Sequence, residues 1–203
     1  AETIDATSAG TETLSIDTGT SDLTINSAIG GTTNLGALIL GGNDIVATAN
    51  LSAAGITISS VEGGDADSVD LTGRTVDAKG GNLTINSDDF ITGGTATLLS
   101  TGGGATFTLT GESASTIIDV GDSAAGGTGL DISEAELQDI AATFSTIAIG
   151  MDSTQTGAVT VNDTGGLTAL NSGLTLRSEG GGGSVTIGST VDLTNTATTS
   201  LLV

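Results

Sequence analysis

The sequence predicts an all-β protein, a parallel β-solenoid of about ten coils that forms one domain over residues 1–203. Short runs of alternating apolar and polar residues recur along the whole chain, and pairs of runs add up to roughly 20 residues, a common coil length. The dipeptides Asn-Gly and Asp-Gly, which favour tight hairpins, are absent. Apolar positions hold mainly small and β-branched residues, which suit a narrow core. These observations favour a solenoid over a β-sandwich.

The predicted strands are period-two runs with one buried face, separated by Gly-rich or polar turns. In chain order they are LSID from Leu14, LTIN from Leu23, ALIL from Ala37, ITIS from Ile56, VDLT from Val69, LTIN from Leu83, FTLT from Phe107, IIDV from Ile117, IAIG from Ile147, VTV from Val159, LTLRS from Leu174, VTIG from Val185 and VDLT from Val191.

The stretch LTINS occurs twice, at residues 23–27 and 83–87. An offset of 60 residues is about three coils of 20. We therefore expect Leu23 and Ile25 to point into the core and to stack in line with Leu83 and Ile85.

One segment has the pattern of a helix. Ser133 followed by Glu136 forms a capping box, and an apolar stripe follows at Leu137, Ile140 and Phe144. The pattern predicts a short helix over residues 134–143 that covers apolar surface of the β-structure.

Composition excludes several functions. The chain has 24 acidic and 3 basic residues, a net charge of −21, so it has almost no cations with which to bind nucleic acid. It contains no His, Cys, Trp or Tyr, which removes His-based catalysis, disulfides and aromatic platforms for sugars. No apolar run is long enough to insert into a membrane. The sequence predicts a protein without catalytic activity, and a polysaccharide-active β-helix enzyme is the least favoured alternative.

The most plausible ligand is Ca²⁺, although no cofactor is required by the sequence. The stretch GGDADSVD places Asp65, Asp67 and Asp70 close together after a Gly-Gly pair, and Ca²⁺ prefers oxygen ligands. The segment lacks the glycine and the distal glutamate of an EF-hand loop. An acidic face in contact with solvent explains the same residues equally well.

Thr-x-Thr triplets such as Thr106, Thr108 and Thr110 raise the possibility of an ordered hydroxyl array. The triplets do not recur at a constant interval along the chain. The sequence therefore predicts no continuous array.

A family resemblance follows from four stretches: SDLTINSAIGG at 21–31, ANLSAAGITI at 49–58, LTLRSEGGGGSVTIGSTVDLT at 174–194 and LDISEAELQDIAATFSTIAIGMDSTQTGAVTV at 130–161. They resemble the repeat regions of filamentous haemagglutinin-like large bacterial exoproteins. The resemblance implies a right-handed parallel β-helix that is extracellular or on the cell surface and serves in adhesion or matrix building. The Asn-Pro motif of the secretion domain of such exoproteins is absent, since the chain has no Pro.

The two ends of the chain predict self-association. Ile4 at one end and Leu201, Leu202 and Val203 at the other belong to apolar stretches without Pro or Lys, and open strand edges pair with other chains. The main partner expected is a second copy, head to tail along the solenoid axis, with a host or neighbouring cell surface as a further one. The favoured function is an extracellular, self-assembling filament or surface-layer subunit or an adhesin shaft. The alternative is a Ca²⁺-dependent ligand-binding adhesin module.

Overall fold

The computed structural model describes residues 2–60, 67–121, 129–162, 167, 170–188 and the backbone of 201–202. Its elements in chain order are β1 (Thr13–Asp17), β2 (Leu23–Ile25), β3 (Ala37–Gly42), β4 (Ile45–Ala47), β5 (Leu51–Ser52), β6 (Ile56–Ser60), β7 (Ser68–Asp70), β8 (Thr75–Asp77), β9 (Leu83–Asn86), β10 (Asp89–Ile91), β11 (Thr97–Leu99), β12 (Ala105–Thr110), β13 (Ile117–Val120), β14 (Gly129–Ile132), α1 (Glu134–Gln138), β15 (Phe144–Ile149), β16 (Val159–Val161), β17 (Gly173–Leu176), β18 (Val185–Ile187) and β19 (Leu201–Leu202).

The protein is all-β apart from α1, and its strands form parallel sheets, as predicted. The longest sheet has eight strands in the order β1-β3-β6-β9-β12-β15-β17-β19. Two further sheets, β10-β7-β4-β2 and β11-β8-β5, accompany its first half, and β14-β13-β16-β18 accompanies its second half. From β3 to β11 the chain visits the eight-stranded, four-stranded and three-stranded sheets in that order three times.

The interval between neighbouring strands is longer than the sequence indicates. Paired residues along the eight-stranded sheet are separated by 24, 18, 27, 24, 40, 27 and 27 residues. The sheet therefore has eight strands where a coil of 20 residues predicts about ten. At about 4.8 Å per strand, the seven steps extend for roughly 34 Å.

The core lies between the sheets and is one continuous apolar cluster. Inward-facing side chains stack in register: Leu38 pairs with Ile56, Ile56 with Leu83, and Leu83 with Phe107. The three phenylalanines form a ladder, with ring centroids 6.2 Å apart for Phe90–Phe107 and 5.9 Å apart for Phe107–Phe144. The small cross-section leaves room for few large rings, in agreement with the composition.

The two LTINS copies do not stack in line. Leu23 belongs to β2 in a four-stranded sheet, whereas Leu83 belongs to β9 in the eight-stranded sheet. The stacking prediction is wrong because the coil intervals vary and do not add up to 60 residues. The prediction of burial is confirmed, since Leu23, Ile25, Leu83 and Ile85 are all buried.

The helix has the predicted start but ends early. Ser133 is the N-cap, and both hydrogen bonds of its capping box with Glu136 are present. After the five residues Glu134–Gln138, the backbone turns to pair with β11: Leu98 N–H donates to the Asp139 carbonyl and Ala141 N–H to the Leu98 carbonyl. The predicted end at residue 143 is wrong because this sheet pairing replaces the last helical turn.

Asn and Asp side chains join neighbouring coils. The Oδ1 atoms of Asp44, Asn50 and Asn82 accept hydrogen bonds from backbone N–H groups 24 or 25 residues later, at Ser68, Thr75 and Thr106 respectively. Such bonds satisfy backbone donors where the ladder of strand pairs is interrupted. Much of the unusual Asp and Asn content is thus structural.

Candidate functional site

The end of the eight-stranded sheet near the start of the chain has an open edge. Within the described residues β1 pairs only with β3, and its inward-facing Leu14 and Ile16 are partly exposed. Ile4, predicted to take part in self-association, lies at this same end, where it forms a parallel bridge with Ile29 and is 44% exposed. Backbone donors and apolar core are therefore accessible together.

The opposite end of the sheets is also open in the part of the chain that is described. Strand β18 pairs only with β16, and Ile187 is 39% exposed although its partner Val161 is buried. Leu201 and Leu202 form β19, which pairs with β17 as the outermost strand of the eight-stranded sheet. Val203 lies outside the described residues. The two ends thus present strand edges of opposite kind, one before β1 and one after β18 and β19.

The structure separates two of the predicted calcium ligands. Asp67 is 1% exposed and lies on the same side of the chain as buried Val69, whereas Asp70 is on the other side, where its Oδ1 accepts a hydrogen bond from Thr72 N–H. Asp65 lies outside the described residues. Among the described residues, no three acidic side chains converge as metal ligands would. The calcium site stays a prediction.

A carboxyl pair lies where the sequence indicates none. Glu112, in the turn after β12, accepts a hydrogen bond from the buried Ser60 hydroxyl at 3.1 Å. Burial raises the pKa of Glu112 to about 7, and the nearby carboxylates of Asp67 and Asp88 raise the pKa further against the opposing hydrogen bond from Ser60. Three successive coils bring these residues together. The pair can therefore hold a proton near neutral pH.

The Glu112 pair predicts a pH dependence of stability. The pKa of Glu112 is higher in the folded state than its usual 4.5, so the folded state binds more protons between about pH 4.5 and about pH 7. The free energy of unfolding should therefore fall as the pH rises through this interval. Glu112→Gln should flatten this part of the profile, measured by urea unfolding at a series of pH values.

The matched control for this measurement is Glu179→Gln, which changes an exposed glutamate. It should leave the slope unchanged. If Glu112→Gln and the parent protein lose stability in parallel between pH 4.5 and pH 7, the proposed titration is wrong.

A second acidic feature is a cleft of about 240 Å³ next to the helix, lined by Asp89, Asp131 and Glu136 together with Phe90 and Ser133. Burial raises the pKa of all three carboxyl groups, and mutual repulsion adds to this: Asp89 acts on both Asp131 and Glu136. A cationic group in the cleft would relieve the repulsion. Sequence analysis missed it because β10 and β14 are distant in the chain.

Comparison with known proteins gives no relative. No family model, no curated protein and no solved structure matches the chain. No helix within the described residues is long and apolar enough to cross a membrane. Arguments about function therefore start from the strand edges, the acidic groups and the sheet faces described above.

Proposed function

We propose that the chain is a right-handed parallel β-solenoid that acts as an extracellular structural subunit, as part of a self-assembling filament or surface layer or as the shaft of an adhesin. The observation that carries this proposal is the unbroken stack of eight parallel strands with an accessible edge at each end. Every strand pairing is parallel, and successive strands pair across intervals of one coil. Such a stack extends by adding further strands.

The right-handed winding is supported by a general rule. A chain that leaves a strand and returns to a parallel strand of the same sheet almost always makes a right-handed crossover, because strands twist to the right. Each return to the eight-stranded sheet is a connection of this kind. The same winding is implied by the resemblance to the exoprotein repeats.

Assembly follows from the two edges. An edge strand presents unpaired N–H and C=O groups, and β1 of one copy can pair with the outermost strands of another. A contact between two different ends is heterologous and propagates into a filament unless rotation closes it. The net charge of −21 opposes contact between copies, by an amount that salt screens.

We expect assembly to increase with salt and with Ca²⁺. Light scattering and negative-stain imaging over a NaCl series, with and without millimolar Ca²⁺, should show filaments whose length increases as charge repulsion is screened. Leu14→Lys at the β1 edge should shorten them, because it adds a charge to the exposed end of the core. Thr186→Lys should act in the same way at the opposite edge, whereas Thr72→Lys, at an exposed turn, is the control. A monomer under all conditions would contradict end-to-end assembly.

The acidic cleft favours a second candidate function, a Ca²⁺-dependent adhesin module. Asp89, Asp131 and Glu136 line one cavity, and their mutual repulsion favours a bound cation. Such a module would bind a host or neighbouring cell surface. Calorimetry with Ca²⁺ on the parent protein and on Asp131→Asn tests this function: an absence of heat at millimolar Ca²⁺, with an unchanged melting temperature, would rule it out.

A further inference from the structure

The outer face of the eight-stranded sheet is a regular lattice of small side chains. Its central column runs in register from β1 to β17 and consists of Ser15, Ile39, Thr57, Thr84, Thr108, Ala148 and Thr175. The residues two positions earlier and two positions later in the chain form the flanking columns: Thr13, Ala37, Gly55, Asn82, Thr106, Thr146 and Gly173 on one side, and Asp17, Gly41, Ser59, Asn86, Thr110, Gly150 and Arg177 on the other.

This lattice corrects the prediction that no continuous hydroxyl array forms. The strand intervals vary, yet the loops absorb the differences and the register brings Thr57, Thr84 and Thr108 into adjacent positions. Along β6, β9 and β12 the outward residues are half-buried and the alternating ones are buried. The outer face is therefore open to contact in the described structure.

The charges on the outer face are few and are arranged symmetrically. The chain carries 24 acidic and 3 basic residues, but this lattice contains one of each, Asp17 and Arg177. Both lie in the same column, Asp17 on β1 at one end and Arg177 directly after β17 at the other. Arg177 has an acidic neighbour in its own chain, the exposed Asp152 at 3.9 Å. An exposed pair of that length is weak and leaves the guanidinium available to a partner.

We propose that a second copy of the chain packs on this outer face, with a two-fold axis parallel to the strands and passing through β9. This operation reverses the order of the strands and keeps their direction, so β1 faces β17 of the partner copy. Asp17 then lies opposite Arg177, and the same pair forms again at the other end. The interface is isologous, in contrast to the end-to-end contact of the proposed function.

The side-chain sizes agree with this arrangement. The largest apolar residue of the lattice, Ile39 on β3, is 43% exposed and would face Ala148 on β15. Gly55 would face Thr106, and Thr84 would lie on the axis opposite its own copy. Small residues therefore lie opposite larger ones, as interdigitating sheets require.

The area is sufficient for a specific dimer. Seven strands at about 4.8 Å, with three outward residues on each, cover roughly 600–700 Å² per copy. Both copies together would bury about 1,300 Å², which lies within the range of specific interfaces. Because the outer face is nearly uncharged, two copies meet there without bringing acidic groups into direct contact, whatever happens at the sheet ends.

Charge exchange tests the inference by sedimentation equilibrium over a concentration series at fixed salt without Ca²⁺. The parent protein should form a dimer. Arg177→Asp should weaken the dimer about tenfold or more, since it replaces two attractive pairs by two repulsive ones. The double variant Asp17→Arg/Arg177→Asp should restore affinity to within a few-fold of the parent. Arg74→Asp changes the net charge equally away from the outer face and is the matched control.

A second variant guards against misfolding. Thr84→Lys places two lysines together at the two-fold axis and should give a monomer with the circular dichroism and melting temperature of the parent. A parent protein that stays monomeric at several hundred micromolar, or a double variant no tighter than Arg177→Asp, would overturn the inference. So would a monomer that binds insoluble polysaccharide and loses this binding with Thr84→Lys, because the outer face would then belong to a glycan surface.

The two modes of association fail separately. If end-to-end assembly is wrong, the species will stop at two copies and respond to Arg177→Asp. If face-to-face pairing is wrong, filaments or monomers will be insensitive to it.

Discussion

Phe107→Ala is expected to lower the free energy of unfolding by about 3–5 kcal/mol. Phe107 is fully buried on β12 and is the middle ring of the phenylalanine ladder. Its removal leaves a cavity and ends both ring contacts, and a narrow core has few side chains that can move to fill the space. Urea unfolding followed by circular dichroism measures the change.

Two further variants separate the causes. Phe107→Leu keeps most of the volume and should cost less than about 1.5 kcal/mol plus the ring contacts. Ile117→Ala changes a strand residue that is 46% exposed, next to fully buried Ile118, and should stay within about 0.5 kcal/mol of the parent. Equal losses for Phe107→Ala and Ile117→Ala would contradict the assignment of inward and outward positions.

Gly30→Ala is expected to be nearly as damaging, by about 2–5 kcal/mol. Gly30 has a φ of +67°, a left-handed conformation that costs other residues roughly 1–2 kcal/mol. A Cβ at this position would also overlap the backbone carbonyl oxygen of Ser52 on the neighbouring coil. Relieving such an overlap needs a backbone shift, worth a further 1–3 kcal/mol or so.

Gly19→Ala is the matched control for this variant. Gly19 has almost the same φ, +62°, but no atom lies within 4 Å of a Cβ added to it. It should show the conformational cost alone, about 1–2 kcal/mol. Thermal and urea unfolding of both variants measure the difference, and a loss for Gly19→Ala as large as that for Gly30→Ala would show that the close approach of the coils contributes nothing.

The sequence predicted most strands of the long sheet because they show clear alternation. All seven strands from β1 to β17 in that sheet were found, including FTLT at β12 and LTLRS at β17. The run VDLT from Val191 lies outside the described residues. The strands that sequence analysis missed are short, such as β5 (Leu51–Ser52) and β8 (Thr75–Asp77), and have too few residues to show a period.

Register was harder to predict than strand identity. Pairing depends on how many residues each loop uses, and loop lengths vary between coils because glycine and polar turns tolerate insertions. For this reason LTINS at residues 23–27 and 83–87 indicated burial correctly and stacking incorrectly. The helix was predicted at its cap, which is local, and not at its end, which Leu98 on a distant strand determines.

The candidate sites show the same limit. Glu112 lies next to Ser60 and Asp67 only because three coils are in register, and no pattern within one coil indicates it. The predicted ends were easier, because exposure of Ile4 follows from its place in the chain. The calcium prediction assumed that nearby aspartates point to the same side, whereas strand alternation separates Asp67 from Asp70.

The spacing of paired strands has a consequence for how the chain folds. Each strand of the long sheet pairs with one formed 18 to 40 residues earlier, so a coil can form as soon as its own residues are available, on a template already present. The entropy of loop closure differs little among the steps and is largest, by about half a kcal/mol over a 24-residue step, for the 40-residue segment from Phe107 to Ile147. That segment contains the helix, whose capping box forms locally and shortens the flexible part of the loop. Folding can therefore proceed as one-directional growth from the first coils, without the complete chain, which suits a protein that emerges gradually from a ribosome or a membrane pore.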